Sequence, residues 1–434
     1  MSDLYKAQKT MRQIRRGATQ RGIVALLDIG TSKISCLLLR LTRKRSAADP
    51  GYKIIASAST RSRGVRFGEV EAMPETEEAI RTVIRAVQKK SGQRVDHAVA
   101  CFAGARPRSY GLGGSINLPS GTVTEKDIGR VLAACDVPDI GEGRQILHAH
   151  PVNFVLDGRT GLVDPRGQVG DHLEVDMHVL TVESRTVQNI AEAVHRCDLE
   201  LAGIAASAYV SGLSSLIETE METGGACIDL GGGTTSMSIF MKDHMIYADS
   251  IRAGGDRITQ DISKVFRISL TAAERLKILS GGLFVTEVDE RERLKIEDPH
   301  GARGFDHEHA TRADLIRVMQ PRMSEMLDLV AHQLDAAGFS HMDKASVVLT
   351  GGVSSTPGLE ALAQQHLGPN VRIGHPTRVA GLGMEMNGPD YAASIGMSHF
   401  VVNPQDEWWD FEAPSEKVDE KISSRVWSWV KDNW

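Results

Sequence analysis

A strand that ends in aspartate and turns through glycine occurs twice in this chain, about 200 residues apart. The first copy is the apolar run Ile23–Leu27, then Asp28 and the turn Gly30–Lys33; the second has Asp229 and the turn Gly231–Thr235. A second β-type run follows each turn, so the backbone N–H groups of a tight hairpin can face an anion. The repeat predicts two similar α/β domains that hold one phosphate chain between them.

The residue types in both turns suit phosphate and a divalent cation. Glycine lets a phosphate approach the backbone closely, and hydroxyl groups add hydrogen-bond donors. The candidate phosphate contacts are Gly30, Thr31, Ser32 and Lys33 in the first turn, and Gly231, Gly232, Gly233, Thr234 and Thr235 in the second. Asp28 and Asp229 end buried strands, so we expect them to hold Mg²⁺ through water. A single copy is equally well explained by an ordinary turn.

A third glycine turn follows the predicted strand Ala345–Leu349. A flat adenine ring can lie against its bare backbone, which makes Gly351, Gly352 and Val353 candidate nucleotide contacts, together with Gly254 and Gly255. Glu274 and Lys277 are three residues apart on a predicted helix and therefore share one face. We include both as candidates, although a solvated ion pair explains them better when they are considered alone.

Composition narrows the class of protein. A net charge of −6 excludes a chain that is basic throughout, so nucleic acid is not a predicted partner. No run approaches 18 apolar residues, the length that a spanning helix needs. The five cysteines are scattered without CxxC spacing, which is typical of reduced thiols in a cytosolic protein.

The charge distribution singles out both ends of the chain. Residues 1–20 carry an excess of lysine and arginine and predict a solvated basic tail. The alternative is an arm attracted to anionic lipid or to an acidic partner. Residues 401–415, with two prolines and many acids, predict an extended acidic linker.

The last segment, residues 416–434, has helical amphipathicity with three tryptophans in its final eight residues. Tryptophan beside cationic residues suits the lipid headgroup boundary, because indole combines an apolar body with one N–H donor. The candidate membrane contacts are Ile422, Val426, Trp427, Trp429, Val430 and Trp434, with Arg425 and Lys431 beside them. The alternative is a terminal helix that docks on its own domain.

These motifs together resemble those of the actin, heat-shock-chaperone and sugar-kinase ATPase superfamily. Asp28–Lys33 and Asp229–Thr235 resemble its two phosphate motifs, and Leu349–Ser355 resembles its adenosine motif. The small-residue segments Ala205–Leu216 and Tyr391–Phe400 are similar to its two connecting helices. Within the superfamily the chain most resembles FtsA, the family of bacterial cell-division actin homologues, over residues 21–400 and again in the terminal helix.

The resemblance implies an α/β, two-domain actin-like ATPase fold, built of duplicated ribonuclease-H-like domains, with an inserted small α/β subdomain and a C-terminal amphipathic helix. The implied divisions are 21–95 and 179–217 for the first actin-like subdomain, 96–178 for the insertion, 218–256 and 331–400 for the upper subdomain of the second half, and 257–330 for its lower subdomain.

The resemblance also implies a function. Such a protein binds ATP and Mg²⁺, associates with itself head to tail, and tethers the FtsZ ring to an anionic membrane surface. Its location is the cytoplasmic face of the inner membrane at the division site, where it helps recruit later division proteins. The FtsZ C-terminal tail is expected on the lower subdomain, with Arg303 and Arg312 as candidate contacts beside the exposed charged stretch Asp289–Thr311. Solvated arginines are the alternative for both.

Rapid hydrolysis is not expected. Actin-like ATPases use a side chain at the start of the first connecting helix to orient the attacking group. Residues 203–209 offer no carboxylate or amide there, so we assign no catalytic residue and expect at most very slow ATP turnover. The alternative functions are a phosphotransferase and a pilus-assembly-type ATPase of the same superfold.

Overall fold

The computed structural model describes residues 2–20, 22–42, 51–136, 139–296, 309–342, 345–383 and 386–411, with side chains from residue 9 onward. Its helices are α1 Ser2–Gln20, α2 Met73–Ser91, α3 Glu125–Ala133, α4 Ser184–His195, α5 Ser207–Ser215, α6 Glu218–Thr223, α7 Gly255–Phe266, α8 Leu270–Ser280, α9 Arg312–Ala336, α10 Leu359–Leu367 and α11 Ala392–Val402. Its strands are β1 Ile23–Ile29, β2 Lys33–Leu41, β3 Tyr52–Arg61, β4 Val65–Arg66, β5 Glu69–Val70, β6 His97–Phe102, β7 Arg108–Asn117, β8 Arg144–Leu156, β9 Arg159–Leu162, β10 His172–Glu183, β11 Glu200–Ala206, β12 Gly225–Leu230, β13 Thr235–Met241, β14 His244–Ile251, β15 Ser346–Thr350 and β16 Val371–Ile373.

Two five-stranded sheets share one topology. The first has the order β11-β6-β1-β2-β3 and the second β14-β13-β12-β15-β16. In each, the aspartate-bearing strand pairs antiparallel with the strand after it and parallel with a later one. The register is also the same, since Asp28 pairs with Ser35 and Asp229 with Ser236. The duplicated fold predicted from the two loops is therefore confirmed.

A third, antiparallel sheet with the order β7-β10-β8-β9 forms the inserted subdomain. The helix α3 packs on this sheet through its apolar face, where Ile128, Val131 and Leu132 are buried. We predicted the insertion over 96–178, but β6 is a fully buried strand of the first sheet and β10 continues to Glu183. Buried apolar β runs look alike in both sheets, so the sequence did not mark this boundary.

Two small-residue helices, α5 and α11, connect the halves and pack closely together. A Cβ atom on Gly396 would lie 1.7 Å from the carbonyl oxygen of Val210, so the helix backbones touch where glycine stands. The hydroxyl of Ser214 donates to the carbonyl oxygen of Ala392 at 2.8 Å. The two connecting segments predicted from their small residues are thus helices in mutual contact.

The N-terminal segment is not a solvated tail in the structure. It forms α1, whose side chains Arg12 and Arg15 are buried while Gln13 is exposed. The helix packs against β11 and against the short helical turn Trp408–Asp410. The prediction of a solvated tail is wrong because the acidic partner of these arginines stands at the far end of the same chain.

The segment predicted as an acidic linker is also packed. Trp409 is only 3% exposed, and Phe411 and Glu407 are buried. Both aromatic side chains belong to the hydrophobic core of the inserted subdomain. Burial of the aromatic residues between the acids thus outweighs the charge repulsion in this part of the predicted linker.

Within the described residues, no helix has the length and apolar character needed to cross a membrane.

Candidate nucleotide-binding cleft

The two predicted phosphate loops adopt the same turn. The N–H of Gly30 donates to the carbonyl oxygen of Lys33 at 3.1 Å, and Gly231 donates to Thr234 at 2.9 Å. A Cβ atom on either glycine would lie 2.9 Å from that same carbonyl oxygen. Glycine is required in both turns for this reason, and the equivalence of the loops extends to atomic detail.

The loops face each other across the cleft between the two halves. A Cβ atom on Gly232 would lie 1.9 Å from Oγ of Ser32, and one on Gly233 would lie 2.7 Å from Oγ1 of Thr31. The Gly68 N–H also donates to Oγ1 of Thr31 at 3.1 Å. The hydroxyl groups of the first loop therefore point at the bare backbone of the second loop.

The start of α7 completes the second loop. Gly255 and Asp256 donate their N–H groups to the carbonyl oxygens of Gly231 and Gly232 at 3.0 and 2.8 Å. A Cβ atom on Gly254 would lie 2.4 Å from the carbonyl oxygen of Gly232, which leaves no room for a side chain. Burial raises the pKa of Asp256, a carboxyl group that our sequence reasoning missed.

Lys277 and Glu274 lie beside this helix start. The ammonium group of Lys277 donates to the Gly255 carbonyl oxygen at 3.1 Å and to Oγ1 of Thr259 at 2.8 Å. It also forms an ion pair of 2.6 Å with Glu274 and is only 13% exposed. The ion pair that the sequence favoured for the isolated motif is present, but Lys277 is largely buried in it and only Glu274 is partly exposed.

The third glycine turn contacts both neighbouring motifs. Gly351 has φ of +86°, and a Cβ atom there would lie 2.4 Å from Oδ1 of Asp229. The Val353 side chain comes within 2.8 Å of the Cβ position of Gly255. Gly352 faces Asp390, whose Cβ atom lies 3.8 Å from its own Cβ position. The structure thus brings together all the described candidate nucleotide contacts.

The two aspartates lie under the loops and are held by the connecting helices. Oγ of Ser394 in α11 donates to Asp28 at 2.9 Å, and Oγ of Ser211 in α5 donates to Asp229 at 2.6 Å. The Cys101 thiol also donates to Asp28 at 3.6 Å. Burial raises the pKa of Asp28, against the opposing effect of Lys33 and these hydrogen bonds.

The pKa of Asp229 is raised as well. Burial raises its pKa to about 6, the Ser211 hydrogen bond lowers it, and the charge of Asp28 raises it further. Two carboxylates that repel each other beneath two phosphate loops have the donor chemistry of an Mg²⁺ site bridged by water. The candidate metal residues therefore fit the group that they were assigned.

Lys33 has partners that sequence reasoning missed. Its ammonium group forms an ion pair with Asp390 at 2.6 Å and lies 3.4 Å from the ring centroid of Tyr391. Asp390, Tyr391, Ser394 and Ser211 stand in or beside the connecting helices, far from the loops in sequence. The only available signal was that Asp390 and Tyr391 immediately precede a small-residue helix.

The start of α5, residues 203–209, carries no carboxylate or amide side chain. The hydroxyl of Ser207 is buried, and Tyr209 is fully buried with its ring against Phe240 and His148. The side chain of Tyr209 thus contacts core residues rather than the loops.

The lower subdomain of the second half contains α7, α8 and α9, and α9 crosses the boundary predicted at residue 330. Arg312 at the start of α9 donates to the Ser280 carbonyl oxygen at 3.0 Å and pairs with Asp289. Asp289 is only 1% exposed, so the stretch predicted as exposed is partly buried. Arg303 and the candidate membrane residues of 416–434 lie outside the described residues.

Solved structures share this architecture. A chain of the PilM–PilN type IV pilus biogenesis complex has a TM-score of 0.59 and 16% identity, with 88% of this chain and 99% of that chain covered. MreB5 of Spiroplasma citri bound to ADP has a TM-score of 0.51 and 14% identity, with 87% of this chain and 96% of that chain covered. Together with the duplicated sheets, these likenesses define the class as a two-domain actin-like fold.

Sequence comparisons specify the family within this class. Residues 226–396 match the family described as cell division protein FtsA, and residues 104–181 match the SHS2 domain inserted in FtsA. Cell division protein FtsA of Agrobacterium fabrum is 37% identical, covering 88% of this chain and 87% of the relative. FtsA of Neisseria meningitidis serogroup B is 30% identical, with 88% and 90% covered, and FtsA of Escherichia coli K12 is 26% identical, with 95% and 97% covered. The chain belongs to the FtsA family, and the predicted resemblance is confirmed.

Proposed function

We propose that this FtsA-type division protein binds ATP between its two halves. The observation that carries the proposal is the pair of equivalent glycine turns, whose hydroxyl groups and backbone face each other over Asp28 and Asp229. ATP bridging both loops favours a closed shape. MreB5, a protein of this fold, was solved bound to ADP, which is consistent with nucleotide in this cleft.

Asp28 and Asp229 are the proposed holders of Mg²⁺ through water. A divalent cation relieves the repulsion between the two half-buried carboxylates and neutralises the charge of the phosphates. Lys277 is the proposed contact on the adenosine side, because its ammonium group lies at the junction of Gly255 and Val353.

ATP binding is tested by titrating a fluorescent ATP analogue in Mg²⁺ buffer. Lys277→Ala should weaken binding about tenfold or more, since a charge-assisted hydrogen bond contributes about 1.5–3 kcal/mol. Lys264→Ala is the matched control, because Lys264 is exposed at the end of α7. Equal affinity of both variants would remove Lys277 from the site.

We further propose that ATP acts mainly as a conformational ligand. The start of α5 offers no carboxylate or amide to orient an attacking water molecule, and Tyr209 faces the core. Steady-state turnover should stay well below about 1 s⁻¹, the low end for ordinary enzymes. Turnover at or above that rate, abolished by Asp229→Asn, would identify an ATPase instead.

The proposed cellular role is to tether the FtsZ ring to the cytoplasmic face of the inner membrane and to help recruit later division proteins. Residues 416–434 supply the anchor, and head-to-tail filaments multiply many weak anchors into firm attachment. Co-sedimentation with anionic liposomes tests this proposal. The full chain should sediment more with Mg-ATP than without it, whereas a variant that ends at Pro414 should stay in the supernatant.

The FtsZ tail, acidic and apolar in part, is assigned to a cavity of about 310 Å³ on the lower subdomain. The lining has more cationic than acidic side chains, with Arg275, Arg293 and Lys295 against Glu292, and it includes the apolar Leu279 and Ile296. Arg312 supports this surface from beneath through Ser280 and Asp289.

A tail peptide titrated against Lys295→Glu tests the assignment. Its affinity should fall, because the substitution puts an acid against an acidic peptide, whereas Lys264→Glu should leave it unchanged. Unchanged affinity for Lys295→Glu would place the tail elsewhere.

A further inference from the structure

Residues Gln405–Phe411, here called the tail root, join the body of the protein to the terminal segment. The tail root contacts α5 and lies beside the end of α11, the two connecting helices that hold the cleft aspartates. On α5, Tyr209 contacts the tail root while Ser211, two residues later, binds Asp229. On α11, Phe400 lies near the tail root while Ser394 binds Asp28.

The contact with α5 is a hydrogen bond. The hydroxyl of Tyr209 donates to Oε1 of Gln405 at 2.9 Å, and the amide group of Gln405 donates to the carbonyl oxygen of Asp243. Asp243 lies in the turn between β13 and β14 of the second half. Gln405 thus contacts both halves of the molecule, and a change in their relative position changes its surroundings.

The buried side chain of His148 links the tail root to Ala206, the residue immediately before α5. The N–H of Ala206 donates to Nε2 of His148 at 3.2 Å, so the hydrogen of this neutral imidazole is on Nδ1. Nδ1 donates it to Oε1 of Glu407 at 2.9 Å. Burial lowers the pKa of His148 to about 3, which keeps the ring neutral.

His148, His150 and Glu407 have the composition of a metal site, with ligand atoms within 4.8 Å of one another. Both nitrogens of His148 are engaged by the protein, so coordination through Nδ1 would require loss of the N–H that Glu407 accepts. At His148 the cluster is therefore a hydrogen-bonded connection between Ala206 and Glu407.

The helix α1 closes over these contacts. The Arg12 guanidinium pairs with Asp410 and donates to the carbonyl oxygen of Gln405 at 3.4 Å, and it is only 7% exposed. The Arg15 guanidinium lies 4.6 Å from the ring centroid of Phe400 in α11. Because buried charges without partners are costly, α1 and the tail root stabilise each other.

We propose that docking of the tail root is coupled to nucleotide binding in the cleft through α5 and α11. The helix α1 holds the tail root in place and is called the clasp below. In this structure the facing loops and the docked tail root occur together. ATP, which favours the closed cleft, then tightens the hold on Gln405–Phe411 and fixes where the terminal segment leaves the body. The inference rests on the proposed nucleotide function.

Amide hydrogen exchange of the full chain, with and without Mg-ATP, tests the coupling. Exchange of the loop Gly231–Thr235 reports on the cleft, and exchange of Gln405–Phe411 reports on the tail root. With ATP, both segments should exchange more slowly, the tail root by about fivefold or more, the low end of measured couplings between sites.

Two variants interrupt the proposed connection at different points. Tyr209→Phe removes one hydroxyl and keeps the ring, and Arg12→Met removes the charge of the clasp and keeps most of its volume. In either variant, ATP should still slow the loop while its effect on the tail root is lost. The matched controls are Tyr247→Phe, which removes a hydroxyl in β14, and Gln13→Met on the exposed face of α1.

Coupling between binding sites is reciprocal, so the clasp must also affect nucleotide affinity. Arg12→Met should weaken binding of the fluorescent ATP analogue about fivefold or more, and Gln13→Met should not. If ATP slows the loop but leaves the tail root unchanged in the wild-type chain, the coupling is overturned and the nucleotide proposal stands. If the analogue does not bind, both proposals are overturned.

Discussion

Asp229→Asn should make the folded chain more stable while it weakens Mg²⁺-dependent nucleotide binding. The half-buried carboxylate lies beneath the second glycine loop, and the charge of Asp28 adds to the cost of ionising it. Asparagine has nearly the same shape, can still accept the hydrogen bond from Ser211, and removes the charge. Opposite effects on stability and binding are the signature of a residue kept for function.

The magnitude follows from the pKa shift. The pKa of Asp229 rises from an ordinary value near 4 to about 6, and each unit corresponds to about 1.4 kcal/mol. Below pH 4 the carboxyl group is protonated in both states and the penalty is absent. As the pH rises from 4 to 6, only the unfolded chain loses its proton, so the stability of the wild type falls. Above pH 6 the ionised carboxylate lowers the free energy of unfolding of the wild type by about 3 kcal/mol on this basis. Because the side chain is partly exposed, we expect about 1–3 kcal/mol.

Chemical denaturation at pH 4.5 and pH 7.5, followed by tryptophan fluorescence, measures this difference. The variant should be more stable than the wild type by about 1–3 kcal/mol at pH 7.5 and by much less at pH 4.5. Asp136→Asn is the control, because Asp136 is exposed and undergoes the same chemical change. Equal stabilities of Asp229→Asn and wild type at pH 7.5 would refute the cost assigned to the ionised carboxylate.

The remaining predictions concern packing and use the same denaturation assay. Gly396→Ala should lower the free energy of unfolding by about 3 kcal/mol or more, since its methyl group would meet the Val210 backbone. Gly17→Ala in α1 has free space and should raise the free energy of unfolding by about 0.5–1 kcal/mol. A stable Gly396→Ala would show that α5 and α11 can separate. Trp409→Ala should lower the free energy of unfolding by about 3–5 kcal/mol, because it leaves a cavity in the core of the inserted subdomain. A loss below about 1 kcal/mol would mean that the tail root is only loosely docked.

Local sequence predicted the two facing glycine loops well because their main elements are local. A hydrophobic run, an aspartate and a glycine turn specify a strand and a hairpin within about a dozen residues, and the structure repeats this unit at Asp28 and Asp229 with one register. The supporting groups were out of reach. Ser211 and Ser394 are ordinary serines until the connecting helices place them against the two carboxylates.

The ends of the chain were misjudged for a related reason. Basic residues in a polar segment ordinarily face water, and nothing near Arg12 in the sequence suggests burial. Its partner Asp410 follows almost 400 residues later, inside a stretch whose acids predicted an extended linker. Pairing between these distant opposite charges lets both segments pack against the protein. A local sequence pattern contains only one of the two partners and therefore predicts a solvated segment.

The docking of α1 also bears on synthesis of the protein. Arg12 and Gln405 are separated by 393 positions, and the helix is made first while its binding surface is made last. At roughly 5–20 residues per second, α1 leaves the ribosome about 20–80 s before the tail root exists. A chain truncated before Gln405 therefore leaves α1 without its acidic partner, so α1 can dock only after Asp410 has been made.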